Sequence, residues 1–224
     1  MYTSLTDPPA RATAEDLDHQ KAAIIRLGHE LRALVEATVR TAASPDTRHS
    51  VADAVRHVTG QLTGRRRARA EIPEVDEFPA GARMYSPVTG AGSPLAPPVH
   101  VTPTSDGLMG HSTLGIAHEG PPGYGHGGMS AMLLDEVMGR ACVAAGMPGL
   151  TVSLRMRYHR PVPLETPLRI FGRVAGTDDR KISVTGSITN QEDPAADLVT
   201  ADGVFATPDL RRTRALFPDL QGES

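Results

Sequence analysis

Apolar residues recur at Leu17, Ile24, Leu27, Leu31, Leu34 and Val35, a spacing of mostly three, four and seven that predicts a helix from Thr13 to about Thr41. Thr13-Ala14-Glu15-Asp16 opens it with an N-cap and an acid at the third position. Val51, Val55, Val58 and Leu62 repeat the spacing and predict a second helix over residues 50–62. Both are amphipathic, so each must bury a stripe against the main domain, another subunit or another protein. Residues 72–98 are rich in proline and hold no sustained period, which predicts an extended connector wrapping the surface.

Beyond the connector the period becomes two. In residues 151–159, TVSLRMRYH, the side chains of Val152, Leu154, Met156 and Tyr158 alternate with Ser153, Arg155, Arg157 and His159, as in a half-buried strand. Segments 99–104, 110–118, 167–175, 181–190 and 197–206 also read as strands, with a turn at Asp178-Asp179. One run among them, residues 127–145, is helical and carries Met129, Met132, Leu133, Leu134, Val137, Met138 and Ala141. It is apolar around most of its circumference and should lie buried against a sheet. One buried helix and a meandering antiparallel sheet make an α+β domain over residues 99–207. A helical extension (1–70) and the connector (71–98) precede it, and a polar tail (208–224) follows.

Composition narrows the class. A chain of 224 residues, 39% apolar and 22% charged, is an ordinary globular protein with room for one domain and an appendage. Aromatics are 4% and tryptophan is absent, so the core rests on aliphatic residues and methionine. The lone Cys142 rules out an internal disulfide, argues against a cysteine-rich zinc site and suits a reducing compartment. No signal-peptide pattern and no apolar run of ~20 residues is present, so a cytoplasmic protein with no membrane partner is expected.

Charge is uneven. Residues 1–70 hold eleven Lys/Arg and eight Asp/Glu, and the remainder twelve and eighteen, giving +3 and −6. Arg65-Arg66-Arg67-Ala68-Arg69 reads as a solvated basic turn, and the balance speaks against a nucleic-acid partner. His111, His118 and His126 lack ligand spacing and a carboxylate set, so no metal is expected.

The candidate chemistry lies in GPPGYGHGGMSAMLLDE, residues 120–136. His126, Gly127 and Gly128 stand where the buried helix begins. A helix N-terminus leaves N–H groups unpaired and partly positive, and glycine lets a ligand approach them closely. Such amides can polarise a carbonyl; the alternative is a tight loop feeding a helix. Asp135 lies two turns on, among Met132, Leu133, Leu134 and Val137, where an unpaired carboxylate is costly. It suits a general base or nucleophile, with a structural ion pair or a narrow polar stripe as alternatives. Glu136 is rotated ~100° from it, which makes a dyad of the two unfavourable and leaves Glu136 structural or paired with an arginine.

Gly128 and Asp135 share a face but stand ~10 Å apart along the axis. Base and amide donors must each come within ~3 Å of the reacting group. One helix therefore does not serve one carbonyl with both. Two antiparallel copies do, and the spacing predicts a two-fold dimer with two composite sites.

HGGMSAMLLDEVMG followed by TVSLRMRYHRPVPL resembles the PaaI-type branch of the hotdog-fold acyl-CoA thioesterases, over about residues 95–207. The shared pattern is His126-Gly127-Gly128, Asp135 seven residues later, Thr151 opening the next strand, and Tyr158-His159-Arg160-Pro161-Val162-Pro163. The Gly172-Arg173-Val174 strand and the Asp179-Arg180-Lys181 turn fit as well. The resemblance implies a helix wrapped by an antiparallel sheet, and a homodimer, with a dimer of dimers as a further step. It implies a thioester hydrolase acting on an acyl-coenzyme A, with no cofactor beyond the coenzyme A of the substrate. Asp135 would activate water or attack the carbonyl, Thr151 would help hold the water, and the Gly127 N–H, with Gly128 and His126, would bind the carbonyl oxygen. Arg157, Arg160, Arg180 and Lys181 would meet the coenzyme A phosphates. A non-catalytic acyl-CoA-binding regulator using the N-terminal helices is the competing expectation. One position departs from the pattern: several family members carry Asn or Gln six residues before the motif histidine, where this chain has Gly120.

Overall fold

The computed structural model describes residues 12–69, 71–77 and 81–207; the expected polar tail lies outside them. Six strands form one antiparallel sheet: β1 (His100–Pro103), β2 (Leu108–Thr113), β3 (Leu150–Tyr158), β4 (Pro167–Asp178), β5 (Lys181–Asn190) and β6 (Asp197–Ala206). Their order is β1-β2-β4-β5-β6-β3, which leaves β3 on an edge. The buried helix, α3 (Gly127–Ala144), touches β2 through β6, the α+β hotdog arrangement. Leu133, Leu134, Val137, Met138, Ala141 and Cys142 of α3 are buried against Leu168, Ile170, Val184, Ile188, Val199 and Phe205 of the sheet.

The helix lies close because the sheet beneath it is nearly bare. Gly172 of β4 pairs with Gly186 of β5, which pairs with Ala201 of β6. A Cβ on Gly172 would stand 3.2 Å from the Met138 backbone, and one on Gly186 would meet the Leu134 and Met138 side chains at 3.0 Å. This row of small residues forms a trough for α3.

The N-terminal helix, α1 (Ala14–Arg40), begins as the spacing predicts, with a Thr13–Asp16 capping box. Its docking face keeps part of the expected stripe, since Leu17, Ile24, Leu31 and Leu34 are half-buried. Leu27 and Val35 are exposed, and the one fully buried position is Gly28, pressed against the backbone of Ala91 and Gly92. Arg32 donates to the Ala91 and Ser93 carbonyls at 2.9 and 2.7 Å. Near its end, Glu36 pairs with Arg40 at 2.7 Å and accepts the Ile116 and Ala117 N–H groups, and Arg40 also pairs with Glu165.

The second helix, α2 (Pro45–Gln61), starts five residues before the expected Ser50, because Ser44 caps it and Pro45 takes the first helical position. It buries no residue; Val51, Val55, Val58 and Leu62 stay exposed. Arg67 of the basic turn lies over the Tyr85 ring, 5.7 Å from its centroid.

The proline-rich segment does not merely cover the surface. It folds in successive turns and buries Val75, Met84, Val88 and Ala96. β2 stops at Thr113, short of the expected 118, and the chain then makes a 3-10 turn, Ile116–His118. No helix among the described residues is long and apolar enough to cross a membrane.

Candidate active site

The glycine loop and α3 meet at His126, the N-cap. Its ring Nδ1 accepts the Gly128 N–H at 3.0 Å, and its carbonyl accepts the Met129 N–H at 2.8 Å. The Gly128 amide, expected to help bind a carbonyl, is therefore already occupied. The Gly127 N–H has no acceptor among the described residues and sits at the positive end of the helix. Because Nδ1 accepts, a neutral His126 ring carries its proton on Nε2, where it is a second donor. Tyr158 fixes this end of the helix: its hydroxyl donates to the Gly127 carbonyl at 3.0 Å, and its ring faces the Gly127 Cα.

Asp135 is not the sealed, unpaired carboxylate its neighbours suggest. It is half-buried, and its Oδ1 accepts the Thr151 hydroxyl at 2.7 Å. That contact depends on a β-bulge. Leu154 and Met156 face α3, so an unbroken pleat would aim Thr151 away from it. Val152 has no partner on β6, where the register shifts between Thr151 and Ser153. The extra residue reverses the alternation and turns Thr151 toward Asp135, leaving Val152 62% exposed. Glu136 faces elsewhere, bonded to Arg140 at 2.8 Å and to Thr89 at 3.1 Å, the structural ion pair expected of it.

A solved thioesterase superfamily protein has 35% sequence identity to this chain, covers 91% of it with 95% of its own chain, and superposes with a TM-score of 0.74. The chain belongs to the thioesterase superfamily. The superfamily's sequence profile matches residues 122–196, which span the site from the glycine loop to β5. Acyl-coenzyme A thioesterase THEM5 of Homo sapiens is 29% identical over 87 residues, 39% of this chain and 35% of that protein. Acyl-coenzyme A thioesterase THEM4 of Xenopus laevis is 32% identical over 75 residues, 34% of each chain. The chain thus matches about a third of the length of these curated relatives.

Within this thioesterase superfamily chain, four expected basic residues fall into two groups. Arg157 and Arg160 lie at the Tyr158 end of β3, whereas Arg180 and Lys181 form the β4–β5 turn. Lys181 aligns with Ala206 and so with Leu150, while Arg157 aligns with Thr200. The groups are thus about 20 Å apart at ~3.3 Å per residue, and one subunit does not gather all four round one phosphate group. All four are exposed.

Gly120 packs on the motif histidine: a Cβ there would stand 2.8 Å from the His126 Cα. The family's amide side chain has no room in this loop. Glu119 does not replace it, since its carboxylate accepts the Gly123 N–H at 2.7 Å and closes the loop. His126 Nε2 remains as the donor nearest that role. Sequence reasoning gave Tyr158 no separate task, although its place in the Tyr-x-Arg-Pro motif was the available signal. Among the described residues no cluster of three His, Cys, Asp or Glu is arranged to hold a metal.

Proposed function

We propose that this protein hydrolyses the thioester of an acyl-coenzyme A. The observation that carries the reading is the Asp135 carboxylate, held through one oxygen by Thr151 at 2.7 Å, with its second oxygen left for water. As general base, Asp135 takes a proton from water while the water oxygen attacks the carbonyl carbon. The carbonyl oxygen gathers charge against the Gly127 N–H and His126 Nε2–H. The C–S bond then breaks, the thiolate leaves as coenzyme A with the proton Asp135 returns, and the free acid remains. As nucleophile, Asp135 would instead form an anhydride that water opens; a single turnover in 18O-labelled water separates the two, because only the anhydride route places the label in Asp135.

The working unit is a homodimer. Eight residues separate Gly127 from Asp135, ~12 Å along α3. β3 ties its Thr151 end to Asp135 and its Tyr158 end to Gly127. Its outer edge is unpaired among the described residues, and Leu150, Val152 and Tyr158 are 45%, 62% and 53% exposed. A second copy pairing antiparallel along that edge sets the Asp135 end of one chain opposite Gly127 of the partner subunit. The same operation brings the two basic groups together.

Turnover of acyl-coenzyme A, followed by release of free thiol, tests the reading. Asp135→Asn should lower kcat about 10²–10⁴-fold, the usual worth of a general base. No release by the wild type refutes hydrolysis, undiminished release by that variant refutes Asp135 as the base, and full activity in a monomer refutes the composite site.

A further inference from the structure

Between α1, the proline-rich turns and the first turns of α3 lies a cavity of about 530 Å³ that the catalytic groups do not use. Such a volume is typical of a small-molecule site. Its walls include Ala33 of α1, Leu95, Pro97, and Met129 and Met132 of α3. Leu95 is 70% exposed, which is costly for a leucine with nothing to cover it.

The two charged groups on the cavity wall are engaged with the protein, and His29 and Thr113 are the other polar side chains that line it besides His118. Arg32 gives its guanidinium to Ala91 and Ser93, and Glu36 is bound by Arg40 and the Ile116 and Ala117 amides. The His118 Nδ1 has no partner but is sealed from the surface of the void. The cavity therefore presents mainly hydrocarbon and thioether surface, which suits an apolar ligand.

Its position links it to the site. Met132 is one turn before Asp135 on the adjoining face of α3, and Met129 is two residues beyond Gly127. The His118 carbonyl, on the cavity's rim, accepts the His126 N–H at 2.9 Å. A carbonyl seated at Gly127 thus has this opening beside it.

Resting on the hydrolase reading above, we infer that this cavity receives the acyl group of the substrate, an apolar chain of medium length. The N-terminal helix is thereby a wall of the substrate site, and α1 sets chain-length specificity. Methionine suits such a wall, since its unbranched thioether adapts to the shape of its ligand.

Ala33→Trp fills the cavity from α1 without touching the catalytic groups. Each methylene denied burial costs about fourfold. kcat/KM for octanoyl-CoA should therefore fall at least tenfold while that for acetyl-CoA stays within twofold. Ala33→Leu should give an intermediate loss, and it carries the test if the tryptophan variant does not fold. An unchanged octanoyl-to-acetyl ratio, or an equal fall for both substrates, overturns the inference. Calorimetric titration of both thioesters into Asp135→Asn, with and without Ala33→Trp, reads the cavity without turnover. If the wild type hydrolyses neither thioester yet Ala33→Trp abolishes an octanoyl-CoA binding preference, the hydrolase reading fails and the cavity assignment stands.

Discussion

Thr151→Val keeps the branched shape of the side chain and deletes the hydroxyl that donates to Asp135 at 2.7 Å. Hydrogen bonds to charged groups contribute about 1.5–3 kcal/mol. Asp135 is half-buried in one chain, which points to the lower figure, or about tenfold in rate. Closure of a dimer over the carboxylate raises it toward ~3 kcal/mol, or about 150-fold. The loss should fall on kcat, because the hydroxyl orients the carboxylate and does not hold the coenzyme. Thr151→Ser restores the donor and should recover most of the rate. The assay is steady-state thiol release from octanoyl-CoA, with thermal melts to show that each variant is folded. Val152 offers an independent perturbation. Deleting it removes the bulge but leaves Thr151 opposite Phe205 and facing α3 by plain alternation, so a folded deletion variant should cost less than Thr151→Val. A folded Thr151→Val enzyme within twofold of the wild type refutes the assignment of Thr151.

Three other outcomes follow from contacts already described. Tyr158→Phe removes the hydroxyl bond to the Gly127 carbonyl and should lower stability by about 1 kcal/mol, read by thermal melting, with a several-fold fall in kcat. Burial works to raise the Glu36 carboxyl, but hydrogen bonds from Arg40, Ala117 and Ile116 outweigh it and hold the group below its ordinary value of 4.5. Its hold on α1 is therefore complete above pH 4.5 and is lost as pH falls through the lower folded value, so protease cleavage of α1 should rise in acid and, with Glu36→Gln, at neutral pH too. Burial pushes the Cys142 thiol up to about 11, so iodoacetamide at pH 8 should spare the native protein and label it once unfolded.

Much of this was legible because the relevant signals are local. The apolar circumference of α3 announced a buried helix, and Asp135 stood out within it as the polar position to examine. What escaped the pattern was what carries no hydrophobic mark. Val152, Leu154 and Met156 alternate without a break, so nothing in the spelling of β3 shows that Val152 drops out of register and turns Thr151 inward. Gly28 has no side chain to count, yet it is where α1 presses on the rest of the molecule. His126 reads as a motif residue, whereas its ring fills a capping role that removes the Gly128 amide from use. The turns of residues 71–77 and 81–98 follow no period at all, and only tertiary packing selects Val75, Met84 and Val88 for the interior.

The trough beneath α3 bears on how this protein can vary. A helix behaves as a stiff rod, so its height above the sheet is a single setting shared by Gly127 at one end and Asp135 further along. Gly172 and Gly186 fix that setting by the absence of side chains. A methyl at either position lifts the rod and shifts both ends together, relative to a β3 that does not move with them. Alanine in the floor of the sheet, against Leu134, Val137 and Met138 on the far side of the helix from the substrate, should therefore act as an aiming error in catalysis, and the trough is as much a part of the site's alignment as the residues that face the substrate.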